Sequence, residues 1–393
     1  MADKNMIVTV SPHLHERGQT INRAMRDVII ALCPVVLWAI IVFGFNVVYI
    51  IAASIITAML TEVVMRKILG RKATLKDLSA VLTGLFLALL VPPTTPLWVV
   101  AIGSFIAVGV AKELFGGLGK NIFNPALFGR VALMISPLYL YVSKYAKPFF
   151  WKSAGFFTPV ATSINNSVYG RVQYKGISGN VITKISATAV SGANSVTGAT
   201  PLSLLKSGRM LANTVTGPTP VAATWITPKG RPSFWSLFLG LKGGCIGEVS
   251  VLLLLVGGCY LIYRRTIDWR IPVGIIGTLL FIMLVTWTHP IYQLFGGGLF
   301  LGAFFMATDW VTSPMTRRGK WVYAVGIGLF IALIRLFSPW PEGVAIAILQ
   351  WNILTLVLDR YMARPVFGEV KRRWFNKLPS LPGPALEPVK KEA

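Results

Sequence analysis

The sequence predicts an all-α integral membrane protein of about ten transmembrane helices in two inverted five-helix repeats, with a large extracytoplasmic loop segment between them. Of the 393 residues, 54% are hydrophobic and only 13% are charged, and the mean hydropathy is +0.66. A soluble domain carries about 25% charged residues to cover its surface. The outer surface of this chain therefore faces lipid, where helices satisfy their own backbone hydrogen bonds.

Ten apolar runs supply the predicted membrane helices. A span needs roughly 20 mostly apolar residues, and several of the runs are shorter than this. The runs lie near residues 27–43, 47–65, 78–91, 97–113, 125–142, 245–263, 271–287, 293–309, 321–338 and 343–359.

The short loops between the runs alternate in charge. One set is basic, as at Arg66 and Lys67 or at Arg264 and Arg265. The other set contains no Lys or Arg and consists of the turns around Phe45 and at residues 92–96, 289–292 and 339–343. Short cytoplasmic loops carry the excess of Lys and Arg. Both termini are therefore predicted to be cytoplasmic, and the long segment after the fifth run is predicted to lie outside.

The runs and loops divide the chain into five parts. The long outer segment has ten Lys or Arg and no Asp or Glu, which makes it a surface for lipid headgroups or for an anionic group such as a phosphate. The predicted parts are a cytoplasmic arm (1–26), a first membrane repeat (27–143), the extracytoplasmic segment (144–232), a second membrane repeat (233–360) and a basic cytoplasmic tail (361–393).

An odd number of spans in each half places the two halves in opposite orientations. Inverted repeats of this kind are typical of transporter folds, whose sites lie where helices break near the midplane. Both halves contain such breaks, at Val91-Pro92-Pro93 in the first and at Gly296-Gly297-Gly298 in the second.

The net charge of +24 does not indicate a nucleic-acid-binding protein, because the basic residues form short clusters between apolar runs. Membrane lipid is the expected partner of these clusters. The three histidines and three cysteines do not form a metal-ligand pattern, so no metal site is predicted. The chain has no Walker loop and no Rossmann glycine fingerprint.

The outer segment contains one motif with functional meaning, Thr197-Gly198-Ala199-Thr200. On residue type alone it is a turn of small residues with accessible hydroxyl groups. Other distinctive segments are spread over nearly the whole chain: Ser11-Pro12-His13, Val91-Pro92-Pro93, Ala111-Lys112-Glu113-Leu114-Phe115-Gly116-Gly117, Asn121-Ile122-Phe123-Asn124-Pro125-Ala126, Gly247-Glu248, and Met306-Ala307-Thr308-Asp309 followed by Ser313-Pro314.

With these segments, the chain resembles the family that contains the D subunit of Rnf electron-transfer complexes and the B subunit of the sodium-pumping NADH:quinone oxidoreductase. The resemblance implies that a flavin transferase attaches FMN through its phosphate to the Thr200 hydroxyl. Gly198 and Ala199 supply the lack of bulk that the transferase cleft requires. The family usually has an acidic residue six positions before this threonine, where this chain has Asn194.

The family's Asn-x-x-Asn-Pro-Ala segment implies a second, non-covalent flavin, riboflavin, among the helices near the cytoplasmic side. Asn121 and Asn124 would then bond the isoalloxazine edge, since an amide offers a donor and an acceptor without charge. Asn124 is equally well interpreted as the N-cap of a helix that starts at Pro125. Arg130 is assigned a structural or flavin-facing role.

Ionisable residues at membrane depth are candidates for the cation path, because buried charges in lipid are costly. Asp309 and Asp77 are the two candidates. The alternative for both is a salt bridge or an interfacial position at a helix end.

The resemblance implies a membrane flavoprotein subunit of an ion-translocating ferredoxin:NAD oxidoreductase in a prokaryotic cell membrane, coupled to Na⁺ or H⁺ transport. It is catalytic only within the complex. The implied partners are other membrane subunits, a second FMN-bearing subunit, and iron–sulfur and NAD-binding subunits. Two alternatives stay open: the B subunit of the quinone reductase, which has a longer N-terminal arm, and a non-redox channel of the urea-transporter type.

Overall fold

The computed structural model describes residues 21–71, 77–146, 148–149, 234–287, 290–338 and 343–362. The rest of the chain, including most of the predicted outer segment and the tail, lies outside the described residues. The described part of the first half contains six α-helices: α1 (Ile21–Phe43), α2 (Asn46–Ile68), α3 (Ser79–Leu90), α4 (Leu97–Phe105), α5 (Pro125–Ile135) and α6 (Tyr139–Val142).

The described part of the second half contains seven helices and a 3₁₀ turn (Ile246–Glu248). The helices are α7 (Phe234–Leu239), α8 (Val251–Tyr263), α9 (Arg270–Val285), α10 (Pro290–Phe295), α11 (Leu299–Leu301), α12 (Arg317–Phe337) and α13 (Val344–Met362).

Two helices continue into π-helical turns. Helix α4 runs into a first π segment (Ile106–Glu113), and α11 runs into a second π segment (Gly302–Met306). Their wide turns are visible in hydrogen bonds that span five residues, from Leu114 N to Gly109 O at 3.1 Å and from Ala307 N to Gly302 O at 2.7 Å. π-Helical turns are rare and are frequently found at functional sites.

The structure confirms that the described chain is mostly helical. Four described helices are long and apolar enough to cross a membrane: α1, α2, α12 and α13. Four more described helices, α3, α5, α8 and α9, are also apolar but shorter. This agrees with the predicted all-α membrane class, while the number of ten spans and the inverted repeat stay predictions.

At the helix break after α3, protein N–H groups donate hydrogen bonds to the backbone carbonyls that the break leaves free. Prolines 92 and 93 stop the helix because they lack a backbone N–H. The freed carbonyl of Val91 accepts a hydrogen bond from Ile246 N at 3.1 Å, and the Pro93 carbonyl accepts one from the Asn46 side chain. The predicted break therefore becomes a junction between the two halves.

The halves also meet along α1 and α8. A Cβ atom at Gly257 would lie 2.5 Å from the Ala31 carbonyl oxygen, so only glycine permits this close approach. Nearby, Arg264 Nε donates to Asp27 Oδ2 at 3.3 Å, and Asp27 is buried. The hydrogen bond to Asp27 and the negative charge of its carboxylate raise the pKa of the arginine above its usual value.

Candidate functional site

Asn124 caps α5 as its sequence position predicts. Its Oδ1 accepts hydrogen bonds from Ala126 N at 3.1 Å and Leu127 N at 3.4 Å, while Pro125 occupies the first helical position. Its Nδ2 reaches across to the second half and donates to the Met306 carbonyl at 3.4 Å. The start of α5 is therefore tied to the end of the second π segment.

Asn352 on α13 and Tyr323 on α12 complete this contact. The Tyr323 hydroxyl lies 2.7 Å from the Asn352 amide, and both residues are buried. With the amide oriented to pair every group, Asn352 Nδ2 also donates to Ile348 O at 3.1 Å, and its Oδ1 accepts from Asn124 N at 3.1 Å. Asn124, Asn352 and Tyr323 form what we call the asparagine cluster.

Asn121 differs from Asn124 because its side-chain oxygen has no hydrogen-bond partner among the described residues. Asn121 is buried, and its Nδ2 donates to Phe123 O at 3.0 Å. Its Oδ1 accepts no hydrogen bond from the described residues. A buried acceptor without a partner costs about 1–3 kcal/mol, so this oxygen fits a ligand that offers an N–H donor.

Arg130 contacts residues other than the two asparagines. It is buried, and its guanidinium donates to Val142 O at 3.4 Å and lies 3.9 Å from Cys245 Sγ. Arg130 follows Asn124 by six residues on α5, or about 9 Å along the axis. These contacts link α5 to α6 and to the chain before the 3₁₀ turn.

Asp309 lies next to the asparagine cluster. It follows the second π segment by three residues, and its Oδ2 accepts a hydrogen bond from Thr312 Oγ1 at 3.4 Å. The Thr312 carbonyl in turn accepts from Thr355 Oγ1 at 3.0 Å on α13. Asp309 also interacts electrostatically with Tyr323. The structure thus places Asp309 beside Tyr323 of the asparagine cluster.

Asp77 marks the start of α3. Its Oδ1 accepts hydrogen bonds from Ser79 N at 3.0 Å and from Ser79 Oγ at 2.7 Å. Leu78 between them has φ of 60°, the left-handed region that a branched side chain rarely adopts. Asp77 therefore holds a strained turn at the point where α3 begins.

A network of four buried charges lies beside Asp77, and the sequence did not predict that these four residues pair with one another. We call it the ion network: Glu62 and Arg66 on α2, and Lys112 and Glu113 at the end of the first π segment. Glu62 and Glu113 are 0% exposed and Lys112 is 1% exposed.

The ion network is held by three short ion pairs. Arg66 NH2 lies 2.9 Å from Glu62 Oε1, Arg66 Nε lies 3.3 Å from Glu113 Oε1, and Lys112 Nζ lies 3.1 Å from Glu62 Oε2. The i,i+4 spacing of Glu62 and Arg66 inside an apolar run is the sequence signal that could have revealed the ion network.

The predicted flavin-attachment residues Thr200, Gly198 and Ala199 lie outside the described residues.

The profile of the NQR2, RnfD, RnfE family matches residues 7–368 of the chain, more than nine-tenths of its length. The chain belongs to this family. The match spans both halves, and it includes the asparagine cluster, the ion network and the Thr197–Thr200 motif.

Curated relatives cover the chain almost end to end. One is the D subunit of the proton-translocating ferredoxin:NAD(+) oxidoreductase complex of Clostridium ljungdahlii, 37% identical over 93% of this chain and 97% of the relative. Another is the D subunit of the Na(+)-translocating ferredoxin:NAD(+) oxidoreductase complex of Acetobacterium woodii, 36% identical over 94% of this chain and 98% of the relative. The D subunit of the ion-translocating oxidoreductase complex of Stutzerimonas stutzeri is 34% identical over 90% of this chain and 94% of the relative.

The contacts of Asn124 generate a stability prediction. Replacing Asn124 by Ala removes both the helix cap and the bond to the Met306 carbonyl, so we expect a loss of about 1–2 kcal/mol in stability. Asn124→Ser keeps a capping oxygen and should recover most of the cap. Thermal unfolding of the purified protein measures the order wild type, Ser, Ala. An Ala variant that melts with the wild type would show that neither contact matters.

Proposed function

We propose that this chain is the membrane flavoprotein subunit of an ion-translocating ferredoxin:NAD oxidoreductase complex. The observation that carries the proposal is the end-to-end similarity to relatives named as the D subunits of such complexes. The name of the family also covers quinone-reductase subunits, but the three relatives described above are all named as D subunits. The chain works only within the assembled complex.

The proposed covalent cofactor is FMN, linked through its phosphate to the Thr200 hydroxyl. The support is the Thr197-Gly198-Ala199-Thr200 motif within a segment that has ten Lys or Arg and no acidic residue. Positive charge around the motif favours the flavin phosphate. Flavins supply the electron-transfer chemistry, and the protein contributes position and electrostatics.

The proposed second flavin is riboflavin, held near the start of α5. Asn121 Oδ1 is the group that fits it, because this buried acceptor has no partner among the described residues and can take a ring N–H. The Asn124 side chain already caps α5 and bonds Met306 O, so its part is to fix the helix start that positions Asn121. Arg130, which contacts Val142 and Cys245, contributes to the packing of α5.

The proposed architecture is ten spans in two inverted five-helix repeats, with both termini cytoplasmic and the flavin-bearing segment extracytoplasmic. Contacts between halves support it. Helix α1, the first span, packs on α8, the sixth, and α5, the fifth, packs on α13, the tenth. Equivalent spans meet each other in this way when a two-fold axis relates the halves.

The proposed partners follow from the relatives' names, which describe them as one subunit of a complex. Electron transfer between ferredoxin and NAD requires iron–sulfur and NAD-binding subunits, since the sequence of this chain carries no fingerprint for either carrier. A second FMN-bearing subunit and further membrane subunits complete the proposed complex. The site of action is the prokaryotic cell membrane.

For the cation path we propose Asp309 as a member, with Asp77 as the weaker candidate. Asp309 is partly exposed and lies beside the asparagine cluster, whereas the two hydrogen bonds that Asp77 accepts from Ser79 hold the start of α3. The relatives are named for different cations, one for protons and one for Na⁺. The proposal therefore covers either ion.

The flavin assignments are tested by measuring covalently bound flavin and flavin released from the denatured protein separately. Thr200→Ala should abolish the in-gel fluorescence of the denatured band, from a host that makes the transferase, while riboflavin released by acid precipitation is unchanged. Asn121→Leu should do the reverse, lowering released riboflavin about tenfold or more because the ring N–H loses its acceptor.

The matched control for Thr200 is Thr197→Ala, which removes a hydroxyl from the same motif and should leave the band fluorescent. If Thr197→Ala abolished the fluorescence and Thr200→Ala did not, the attachment residue would be Thr197 instead of Thr200. A wild-type band without fluorescence would instead favour the channel of the urea-transporter type.

The cation assignment is tested by comparing coupled and uncoupled electron transfer. Asp309→Ala should lower ion transport per electron in proteoliposomes more than it lowers electron transfer in detergent, because the carboxylate acts on the ion. Asp309→Asn keeps an oxygen for the Thr312 hydroxyl and should show the same loss of coupling, which separates the charge of the carboxylate from its structural contact. Equal coupling in Asp309→Ala and the wild type would remove Asp309 from the path.

A further inference from the structure

Two tryptophan rings meet where α9 and α12 begin, at the predicted cytoplasmic end of the second half. The rings of Trp269 and Trp321 pack edge to face with their centres 6.0 Å apart. The Arg270 guanidinium lies 5.3 Å from the centre of the Trp269 ring, close enough for a cation–π contact. Trp269 is 47% exposed and Trp321 is 39% exposed. We call Trp269, Trp321, Arg270, Arg317 and Arg318 the tryptophan patch.

The N-terminal ends of two parallel helices add positive charge to this patch. Helices α9 and α12 run in the same direction, because a Cβ atom at Gly274 would lie 2.6 Å from Ala324 Cβ and one at Gly328 would lie 2.8 Å from Ile275 O. The N-terminal end of a helix carries about half a positive charge, which an anion stabilises. Neither helix has an acidic residue in its first turn.

The first turn of α12 begins with two exposed arginines, Arg317 and Arg318. They precede Trp321 by four and three residues, and this spacing places all three side chains on neighbouring positions of one helix surface. Neither arginine forms an ion pair or a hydrogen bond with another residue of the described ranges. Two guanidinium groups beside an exposed ring are therefore available to an anion from outside the chain.

The carboxylates close to this end of α12 do not neutralise the two arginines. Asp268 Oδ2 lies 2.9 Å from Arg270 NH1 and 3.0 Å from Lys320 Nζ, so it is engaged by two other cations. Asp359 on α13 accepts a hydrogen bond from Met315 N at 2.9 Å. The patch therefore keeps an excess of positive charge.

Apolar surface continues from both tryptophans toward the middle of the helices. On α12, Val325 follows Trp321 by one turn and is 46% exposed. On α9, Val273 follows Trp269 by one turn and is 50% exposed, and a Cβ atom at Gly277 one turn further would meet nothing within 4 Å. The missing side chain at Gly277 leaves a shallow gap in this apolar surface.

We propose that the tryptophan patch binds one anionic phospholipid, with its phosphate between Arg317 and Arg318 and an acyl chain along α9 over Gly277. The guanidinium fork matches a phosphate group, and tryptophan rings are enriched at the depth where headgroup and acyl chains meet. The charge favours an anion over a zwitterionic lipid. The apolar surface favours a lipid over a soluble phosphate or an acidic protein loop, which would leave that surface uncovered.

The test compares two lipids that differ in headgroup charge. The purified complex, depleted of lipid in detergent, is melted with phosphatidylglycerol or with phosphatidylcholine of the same acyl chains. Phosphatidylglycerol should raise the melting temperature by about 2–4 °C more than phosphatidylcholine, because it binds the folded protein. In the double variant Arg317→Gln with Arg318→Gln, the two lipids should give equal rises, and native mass spectrometry should count one phosphatidylglycerol fewer per chain.

Matched controls separate this site from bulk charge and from exposed aromatic area. Arg26→Gln with Lys67→Gln removes two exposed positive charges elsewhere and should keep the difference between the lipids. Trp269→Ala should reduce that difference, whereas Trp287→Ala, at the opposite end of α9 and 91% exposed in the wild type, should not. Melting requires no electron transfer, so the result is independent of the redox role proposed above.

Four outcomes would overturn the proposal. One is an equal rise with both lipids in the wild type, and another is a difference that persists without the two arginines of α12. A third is an equal rise with inorganic phosphate, which would indicate a soluble anion. The fourth is release of another subunit by the double variant with no effect of phosphatidylglycerol on the wild type, which would assign the surface to a partner protein.

Discussion

An ionised carboxylate that is fully buried in a membrane protein is costly without a positive charge beside it, and this constraint acts on Glu62. Glu62 is fully buried on α2 and pairs with Arg66 one turn away and with Lys112 from the first π segment. Lys112 in turn bonds Ser79 at the start of α3. One buried charge therefore fixes three elements of the first half relative to each other.

The same constraint explains how the two halves are joined. Polar contacts between them satisfy groups that a helix break or a helix end would leave unpaired in lipid. Asn124 Nδ2 bonds the Met306 carbonyl where the second π segment ends, and Ile246 N bonds Val91 O where α3 ends. Asp27 and Arg264 close the seam between α1 and α8. The riboflavin site and the Asp309 site that we propose lie near the first of these junctions.

The sequence predicted the helices and the cap of α5 because both depend on local pattern. Apolar runs determine where helices lie, and Asn124-Pro125 is a local start signal that the structure confirms. It did not predict the pairing of Asn352 with Tyr323 and Asn124, because residues far apart in the chain meet only through packing. The sequence does not single out Glu62, because one acidic residue does not interrupt an apolar run. The orientation of Lys112 depends on π-helical geometry that no local pattern indicates.

A double-mutant cycle on Glu62 and Lys112 tests the central claim that a paired buried charge organises the first half. Glu62→Gln, Lys112→Met and the double variant are compared with the wild type by thermal unfolding of the purified complex in choline chloride. We expect each single variant to melt lower than the double variant, with a coupling of about 1–3 kcal/mol, because each leaves one charge buried without its partner. Additive losses, with the double variant the least stable of the three, would contradict the claim.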